Sequence, residues 1–228
     1  AREQHRRYVD LLAELGCAIE HLPAAPELPD AVFVEDAAVV FDELAVVARP
    51  GAAARRGETD AVAAALARHR PLARIEAPGT LDGGDVLRVG RRVFVGRSGR
   101  TDRSGCEQLR GLVAPHGYTV EEVAVTGCLH LKSAATEVAP GTLLVERRWL
   151  DTAPFAGLEL VDVDPAEPFA ANALRVGGAV VLPEAFPRTR RRLEARGIEV
   201  RTVPTSELAK AEGGVTCCSI VVGGREAG

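Results

Sequence analysis

The tetrapeptide Leu87-Arg88-Val89-Gly90 returns 87 residues later as Leu174-Arg175-Val176-Gly177. An apolar segment follows each copy, at residues 93–96 and 179–182, so each copy and its glycine turn predict a β-hairpin. A hairpin that recurs in this way predicts that the chain is assembled from copies of one supersecondary unit.

The predicted unit is a hairpin followed by a helix and a third strand. After the hairpin at 86–96, residues 102–113 have the apolar spacing of a helix and residues 119–125 are extended. Equivalent unit starts are 49, 48, 39 and 45 residues apart, at Asp36, Asp85, Ser133, Asn172 and Cys217. Units with a period of about 40–50 residues share a core with their neighbours, so five starts around a centre predict a ring.

Two further segments complete the predicted ring. Residues 31–40 are expected to be strand-like and to open the first hairpin, and residues 215–222 are expected to form the last strand. The last strand has no hairpin partner, so we expect it to pair with an N-terminal strand that the 228 residues do not include. Residues 1–228 are therefore predicted to form a single α/β domain of ββαβ units.

The composition is that of an ordinary globular protein, with 46% hydrophobic residues, 26% charged residues and a formal net charge of −4. This charge balance gives no indication of nucleic acid or an anionic membrane as a partner. The apolar runs are too short to span a membrane, and no secretion signal is recognisable. Five cysteines without a CxxC pair argue against a disulfide framework and a structural zinc site, and they favour the cytoplasm.

Polar residues occupy corresponding places at or just before the hairpins. They are Asp30, Glu35, Asp36, Asp82, Asp85, His130, Lys132, Asn172 and Cys217. Because equivalent positions of a ring of repeats face the same central end, these side chains are expected to converge on one pocket. The sequence therefore predicts a pocket that contains carboxylates, one imidazole and one thiol.

Six short motifs lie in order within residues 4–222. They are Phe33-Val34-Glu35-Asp36, Arg49-Pro50-Gly51 with Arg55-Arg56, Thr80-Leu81-Asp82-Gly83-Gly84-Asp85-Val86-Leu87, Phe94-Val95-Gly96 with Arg100-Thr101, Leu129-His130-Leu131-Lys132-Ser133 and Thr216-Cys217-Cys218-Ser219. Together they resemble the dimethylarginine dimethylaminohydrolases of the guanidino-group-modifying superfamily. The resemblance implies a five-bladed α/β propeller (pentein fold), no cofactor and no metal, and a small guanidino substrate. It implies hydrolysis of N-omega-methylated arginines to citrulline and a methylamine; a homodimer is a possible assembly.

The resemblance also implies three catalytic roles. Cys217 would attack the guanidinium carbon and form a covalent thiouronium, with its thiolate favoured by the bound cation and a nearby imidazolium. His130 would act as acid and base, and Asp82 would orient it. From the residues alone, Cys217 could equally be a packing cysteine, His130 a hydrogen-bonded structural histidine, and Asp82 with Asp85 a turn cap. Cys218 is expected to face away from the pocket, because neighbouring strand residues point to opposite sides.

The remaining candidates would bind substrate. The resemblance places Asp30, Glu35 and Asp36 at the guanidinium and amino groups, Arg55 and Arg100 at the α-carboxylate, and Ala211 beside the ligand. On the residues alone, the acids could instead form a structural ion pair with Arg49 or another arginine, and the two arginines could be solvated surface charges. An arginine deiminase-like hydrolase, an amidinotransferase and a catalytically silent binding propeller are the alternative functions.

Overall fold

The computed structural model describes residues 1–223, and four three-stranded sheets organise them. The strands are β1 Ala38–Val40, β2 Ala45–Val47, β3 Leu72–Arg74, β4 Val86–Val89, β5 Arg92–Arg97, β6 Thr119–Ala124, β7 Ala135–Ala139, β8 Thr142–Val145, β9 Glu159–Asp162, β10 Leu174–Val176, β11 Ala179–Pro183 and β12 Glu199–Val203. In every sheet the first strand pairs antiparallel with the second, and the second pairs parallel with the third. The predicted repeat is therefore present four times in the described residues.

Helices connect the second and third strands in three of these units, as a parallel pair requires a crossover. The helices are α1 Arg2–Glu14, α2 Thr59–Leu66, α3 Arg103–Val113, α4 Leu131–Ala134, α5 Pro187–Glu194 and α6 Ser206–Ala209. In the third unit, short 3-10 turns at Arg147–Trp149 and Ala153–Phe155 make this connection. Within residues 1–223, none of the helices has the length and apolar character to cross a membrane.

The first strands of the four sheets stand around one central cavity of about 220 Å³. Its walls come from β1, β4, β7 and β10, and residues 219–221 supply a fifth wall. Apolar cores fill the spaces between neighbouring units, as where Val39 and Val46 of the first unit pack with Val86 and Val93 of the second. The five walls around one axis match the predicted five-bladed α/β propeller.

Two predicted strands take another form. Residues 34–37 are a 3-10 helix, and only Ala38–Val40 of the predicted strand 31–40 is extended and paired. The 3-10 helix buries both Glu35 and Asp36 among polar partners, whereas the successive side chains of a regular strand would point to opposite faces. Residues 215–222 form no strand within the described part of the chain, since no neighbouring segment supplies a hydrogen-bonded ladder.

An apolar groove of about 1110 Å³ lies between residues 16–23 and residues 218–223. In each of the other four units, the first strand lines the cavity and is the inner strand, and the third strand is the outer strand. By this order, residues 219–221 correspond to an inner strand. Residues 16–23 correspond to an outer strand that follows a helix, here α1. The groove lies where those units have their middle strand. Within residues 1–223, no strand occupies this middle position of the fifth wall.

Candidate active site

The site is built where the inner strands begin. Asp82 is fully buried directly before the 3-10 helix Gly83–Asp85, and His130 directly precedes α4 with 7% of its surface exposed. His130 Nε2 lies 3.1 Å from Asp82 Oδ2. The other oxygen, Oδ1, accepts a hydrogen bond from the Gly51 N–H at 2.9 Å. The structure therefore brings these two predicted residues into one buried ion pair.

The charge state of His130 follows from this environment. Burial alone would lower the pKa of His130, but the hydrogen bond with Asp82 and the charges of Asp36 and other nearby aspartates raise it to about 9. Asp36 Oδ1 lies 3.8 Å from His130 Nδ1 on the opposite side of the ring. At neutral pH the imidazole therefore carries its proton and can act as an acid.

Asp85 braces the backbone that carries His130. Its Oδ1 accepts a hydrogen bond from the Leu131 N–H at 3.0 Å, and its Oδ2 accepts from the hydroxyls of Ser98 at 2.5 Å and Thr101 at 2.7 Å. Burial raises the pKa of Asp85, while the His130 charge and these hydrogen bonds act in the opposite direction. Protein donors engage both of its carboxylate oxygens, so Asp85 fits an anchoring role.

Glu35 faces the central cavity and is committed to two partners. Lys132 Nζ lies 2.6 Å from its Oε1, and the Thr216 hydroxyl donates to its Oε2 at 2.6 Å. Its backbone N–H donates to the carbonyl of Cys217 at 3.2 Å. Glu35 therefore joins the first unit to the segment that contains the predicted nucleophile.

Asp36 is paired with an arginine rather than standing free. It forms a buried ion pair with Arg55, whose guanidinium also holds Glu58 at 2.7 Å. Asp36 Oδ1 accepts a hydrogen bond from the Gly84 N–H at 3.0 Å. Only glycine fits at position 84, because a Cβ there would lie 2.7 Å from Asp36 Oδ1 and 2.8 Å from His130 Nδ1. This pair is the structural ion pair that the residues alone left open.

Cys217 lies in a segment without sheet pairing, residues 213–219, which we call the nucleophile segment. The Gly214 N–H donates to Cys217 Sγ at 3.3 Å. The buried Tyr8 of α1 donates its hydroxyl proton to the Val215 carbonyl at 2.6 Å and lies 2.7 Å from the Ser219 hydroxyl. Side chains and turns, rather than a ladder, therefore hold the sulfur in place.

The thiol is the resting form of Cys217. Burial raises the pKa of Cys217 to about 12, and the charges of Glu35 and Asp36 add to this effect. The Gly214 N–H acts in the opposite direction. The neighbouring acids therefore favour the thiol form of Cys217, and a bound cation would oppose them. Asp36 lies 3.8 Å from His130 Nδ1, and its charge raises the pKa of both His130 and Cys217.

The other predicted substrate contacts lie farther out or are engaged. Asp30 and Ala211 are exposed, and Ala211 lies just after α6. Arg100 is half-buried and forms no ion pair with residues 1–223; its backbone lies against Gly51, where a Cβ would be 2.8 Å from the Arg100 Cα. Arg55 donates to Asp36, to Glu58 and to the Asp30 carbonyl, so its guanidinium is largely occupied.

The loop of residues 126–130, which we call the His130 loop, packs under an aromatic pair. Gly127 has a φ of 76° and a Cβ there would lie 2.7 Å from Trp149 Cδ1. The Trp149 ring packs at a tilt of 58° against Phe169, with the ring centroids 5.0 Å apart, and Phe169 is 61% exposed. The Cys128 thiol donates to the His130 carbonyl at 3.3 Å. The aromatic pair thus covers the backbone that leads to His130.

One group in the described residues has the donors for a metal ion, namely Asp36, Asp82 and His130, whose ligand atoms lie within 4.8 Å of one another. All three atoms are buried, but each residue is already used: His130 pairs with Asp82, and Asp36 pairs with Arg55. A cation here would compete with the imidazolium proton, so the arrangement fits acid–base work better than metal binding.

Comparison with known proteins identifies the family. No protein-family model matches the chain. An N(G),N(G)-dimethylarginine dimethylaminohydrolase from Pseudomonas aeruginosa is 35% identical, with 96% of this chain and 87% of the relative covered. A protein of the same name from Streptomyces coelicolor is 40% identical, with 96% and 85% covered. The chain belongs to the dimethylarginine dimethylaminohydrolase family.

Solved structures agree with this dimethylarginine dimethylaminohydrolase assignment. The Pseudomonas aeruginosa enzyme, as a cysteine-to-serine variant complexed with citrulline, superposes with a TM-score of 0.90 at 34% identity and covers 95% of this chain and 86% of that chain. The N-terminal domain of the cyanobacterial arginine dihydrolase ArgZ gives 0.86 at 21% identity, with 96% and 84% covered. The second match shows the fold alone, and the predicted pentein propeller is confirmed.

Sequence reasoning missed several residues of this dimethylarginine dimethylaminohydrolase site. Glu58 shares the Arg55 guanidinium, and Ser98 with Thr101 supports Asp85. The one available signal was the spacing of Arg55 and Glu58, which puts both on one face of a helical turn. Asn172 stood out as a unit start, but its position gave no partner.

Proposed function

We propose that this chain hydrolyses N-omega-methylated arginine, both asymmetric dimethylarginine and monomethylarginine, to citrulline and a methylamine. Membership of the dimethylarginine dimethylaminohydrolase family supports this activity. The observation that carries it is the buried His130 imidazolium between Asp82 and Asp36, beside the acids that surround Cys217. In this proposal, Cys217 is the nucleophile, His130 the acid and base, and Asp82 the group that orients His130.

The substrate guanidinium binds at Glu35 and Asp36. A carboxylate offers about four lone-pair positions, so each acid keeps acceptor capacity beyond its protein partners. Glu35 uses two positions, for Lys132 and Thr216. A planar guanidinium presents N–H donors that suit the remaining positions. Its charge offsets the negative field at Cys217 and thereby lowers the pKa of the thiol, whose proton passes to solvent.

The first chemical step replaces nitrogen by sulfur. The Cys217 thiolate attacks the guanidinium carbon and forms a C–S bond, and the C–N bond to the methylamine then breaks. The departing nitrogen takes the proton of the His130 imidazolium, so the amine leaves neutral. The sulfur remains attached as a cationic thiouronium on Cys217.

The second step restores the enzyme. Neutral His130 takes a proton from a water molecule as the water oxygen attacks the same carbon. The C–S bond breaks and its electron pair goes to the Cys217 sulfur, while the second proton of the attacking water passes from the new hydroxyl to that sulfur. The urea group of citrulline and the Cys217 thiol remain. Asp82 stabilises the imidazolium that forms again, through the contact at 3.1 Å.

The α-amino and α-carboxylate groups of the substrate are bound by residues at the more exposed edge of the site. Arg100 is the better placed of the two predicted arginines, because Asp36, Glu58 and the backbone carbonyls of residues 30 and 33 leave Arg55 only one N–H, on Nη1. Asp30 is exposed and can receive the amino group, and Ala211 is exposed just ahead of the nucleophile segment. These assignments stay predictions until a ligand complex is solved.

A product assay tests the function directly. The full chain is incubated separately with asymmetric dimethylarginine, monomethylarginine and arginine, and citrulline is measured by colorimetry. We expect citrulline from both methylated substrates and much less from arginine. Turnover of arginine alone would identify a deiminase, and no turnover with normal folding would favour a silent binding propeller.

Three further expectations belong to this proposal. We place the enzyme in the cytoplasm, which the five free cysteines support. We also propose that residues 1–228 act as one catalytic domain. A homodimer remains a prediction that sedimentation equilibrium tests.

A further inference from the structure

Three units use the same polar position in the same way. The side chain just before the inner strand accepts a hydrogen bond from a backbone N–H of the following unit. The pairs are Asp36 with Gly84 at 3.0 Å, Asp85 with Leu131 at 3.0 Å, and Asn172 with Thr216 at 3.1 Å. These contacts therefore form a set of latches between neighbouring units at the active-site end.

The fourth unit departs from this pattern because its latch is an amide. A carboxylate only accepts hydrogen bonds, whereas an amide also donates. Asn172 Nδ2 donates to the Thr216 hydroxyl at 3.0 Å and to the Lys132 carbonyl at 3.1 Å. The orientation of the amide is settled by its partners, since a backbone N–H needs the oxygen and a carbonyl needs the nitrogen.

Asn172 belongs to a closed network of hydrogen bonds, which begins and ends at its side chain. From its amide, the network runs through the Thr216 hydroxyl to Glu35 at 2.6 Å, and from Glu35 to Lys132 Nζ at 2.6 Å. The Lys132 carbonyl returns it to Asn172. All members are buried or nearly so, and such a network fixes one arrangement when every group is satisfied.

The Asn172 amide also packs against Gly214, whose N–H donates a hydrogen bond to the Cys217 sulfur. A Cβ at Gly214 would lie 2.5 Å from Asn172 Cγ, so the amide packs directly on the backbone of this glycine. The Gly214 N–H donates to Cys217 Sγ at 3.3 Å. Asn172 thus touches the chain on both sides of the nucleophile, at Gly214 and at Thr216.

We propose that Asn172 is a positioning residue: it holds the turn 214–217 so that the Gly214 N–H remains directed at the Cys217 sulfur, and an amide is required for this. Aspartate at position 172 would lose both donated hydrogen bonds and would bring another negative charge close to Glu35. The inference rests on the proposed role of Cys217 as nucleophile.

Alkylation of Cys217 tests this inference without any substrate. Iodoacetamide is neutral and reacts with the thiolate, so at a fixed pH its rate follows the thiolate fraction. The modified Cys217 peptide is followed by mass spectrometry at pH 8 in the intact chain and in Asn172→Asp and Asn172→Ser. We expect about tenfold slower alkylation in Asn172→Asp, as a shift of about one pKa unit requires. The uncharged Asn172→Ser should slow it about threefold or more.

Thr136→Val is the matched control. The Thr136 hydroxyl donates to the Ala171 carbonyl at 2.7 Å and accepts from the Ala173 N–H at 3.2 Å, so it joins the same two units without touching the nucleophile segment. The Thr136 contacts join the third and fourth units, whereas the Asn172 amide also reaches Thr216. Loss of the Thr136 hydroxyl should lower the melting temperature but leave alkylation within about twofold. In the citrulline assay, the two Asn172 variants should lose kcat with little change in KM.

The possible outcomes separate clearly. Alkylation that stays within about twofold of the control in both Asn172 variants overturns the positioning role. Slowing in Asn172→Asp alone reduces the effect to the added charge and also overturns it. If the intact chain turns over no methylated arginine, the proposed function fails, but the alkylation result still decides the role of Asn172.

Discussion

The two halves of the candidate site are held by different kinds of structure. His130 stands between two complete units, and Asp82, Asp85 and the backbone before α4 brace it through several buried hydrogen bonds. Cys217 stands in the nucleophile segment, which belongs to no sheet within residues 1–223 and is held by hydrogen bonds with Glu35, Asn172 and Tyr8. From α1, the Tyr8 hydroxyl donates a hydrogen bond to the Val215 carbonyl of this segment.

This difference predicts how each half responds to damage. A group that several neighbours brace loses little when one of them is removed, because the others keep its position. A segment that belongs to no sheet relies on each of its hydrogen bonds for its position, and misplacement by about 1 Å can cost about 100-fold in rate. Substitutions near Cys217 should therefore affect catalysis more than comparable substitutions behind His130.

The largest effect is expected from removing the sulfur. Cys217→Ser should reduce citrulline formation about 1000-fold or more, because a hydroxyl is a far weaker nucleophile near neutral pH. Cys218→Ser is the control, since Cys218 lines the apolar groove. It should retain turnover within about threefold. If Cys218→Ser abolishes turnover and Cys217→Ser does not, the nucleophile has been assigned to the wrong cysteine.

Asp82→Asn should give the next largest effect. Loss of the ion pair lowers the pKa of His130 from about 9, and kcat should fall about 100-fold, in the range for acid–base groups. Titration of the His130 ring by NMR measures the pKa directly. An unchanged titration would show that Asp82 does not control the proton of His130.

The same pair makes stability depend on pH. The folded-state pKa of His130 lies above its ordinary value of 6.5, so the folded protein binds the proton more tightly than the unfolded chain. The stabilisation is complete below about pH 6.5 and is lost as the pH rises through about 9. In denaturant unfolding from pH 6 to 10, the intact chain should therefore exceed Asp82→Asn in free energy of unfolding by less at high pH than at low pH.

Tyr8→Phe tests the weakly held half. Removing the hydroxyl leaves the Val215 carbonyl without this partner, which costs about 1–3 kcal/mol in the free energy of unfolding. We expect kcat to fall about tenfold as the nucleophile segment shifts. Tyr118→Phe is matched, because Tyr118 is equally buried and its hydroxyl contacts Asp42 away from the site. Equal loss of kcat in both variants would contradict a local effect.

Ser98→Ala should have the smallest effect. It removes one donor to Asp85, but the Thr101 hydroxyl and the Leu131 N–H remain. The free energy of unfolding should fall by about 1 kcal/mol, and kcat should stay within about threefold. A loss of kcat as large as that of Tyr8→Phe would show that the His130 half is no better braced than the Cys217 half.

Local signals made the units predictable. A hairpin turn needs residues that accept positive φ, and Gly90 and Gly177 have φ of 58° and 57° between paired strands. The helix predicted at 102–113 begins at Arg103 with Asp102 as its cap, because the Asp102 side chain accepts from the Gly105 N–H. Such features depend on neighbours in sequence, so pattern reasoning reaches them.

Pairings across the ring were beyond the sequence. The chain has 28 basic residues, and nothing local says that Arg55 is the one that meets Asp36. Strand formation at 215–222 likewise depends on a partner segment, and none of residues 1–223 pairs with it. The candidate residues could therefore be chosen from motifs and repeats, whereas their hydrogen bonds could not.

Trp149 has a practical consequence, because it is the single tryptophan of the chain and lies over Gly127 in the His130 loop. The tryptophan fluorescence of the protein therefore comes from one site, next to Gly127 and hence next to the loop that carries His130. A movement of this loop that lets water reach the indole would shift the emission to longer wavelength. The protein thus carries a built-in optical reporter, and stopped-flow fluorescence can follow its ligand encounters without a dye.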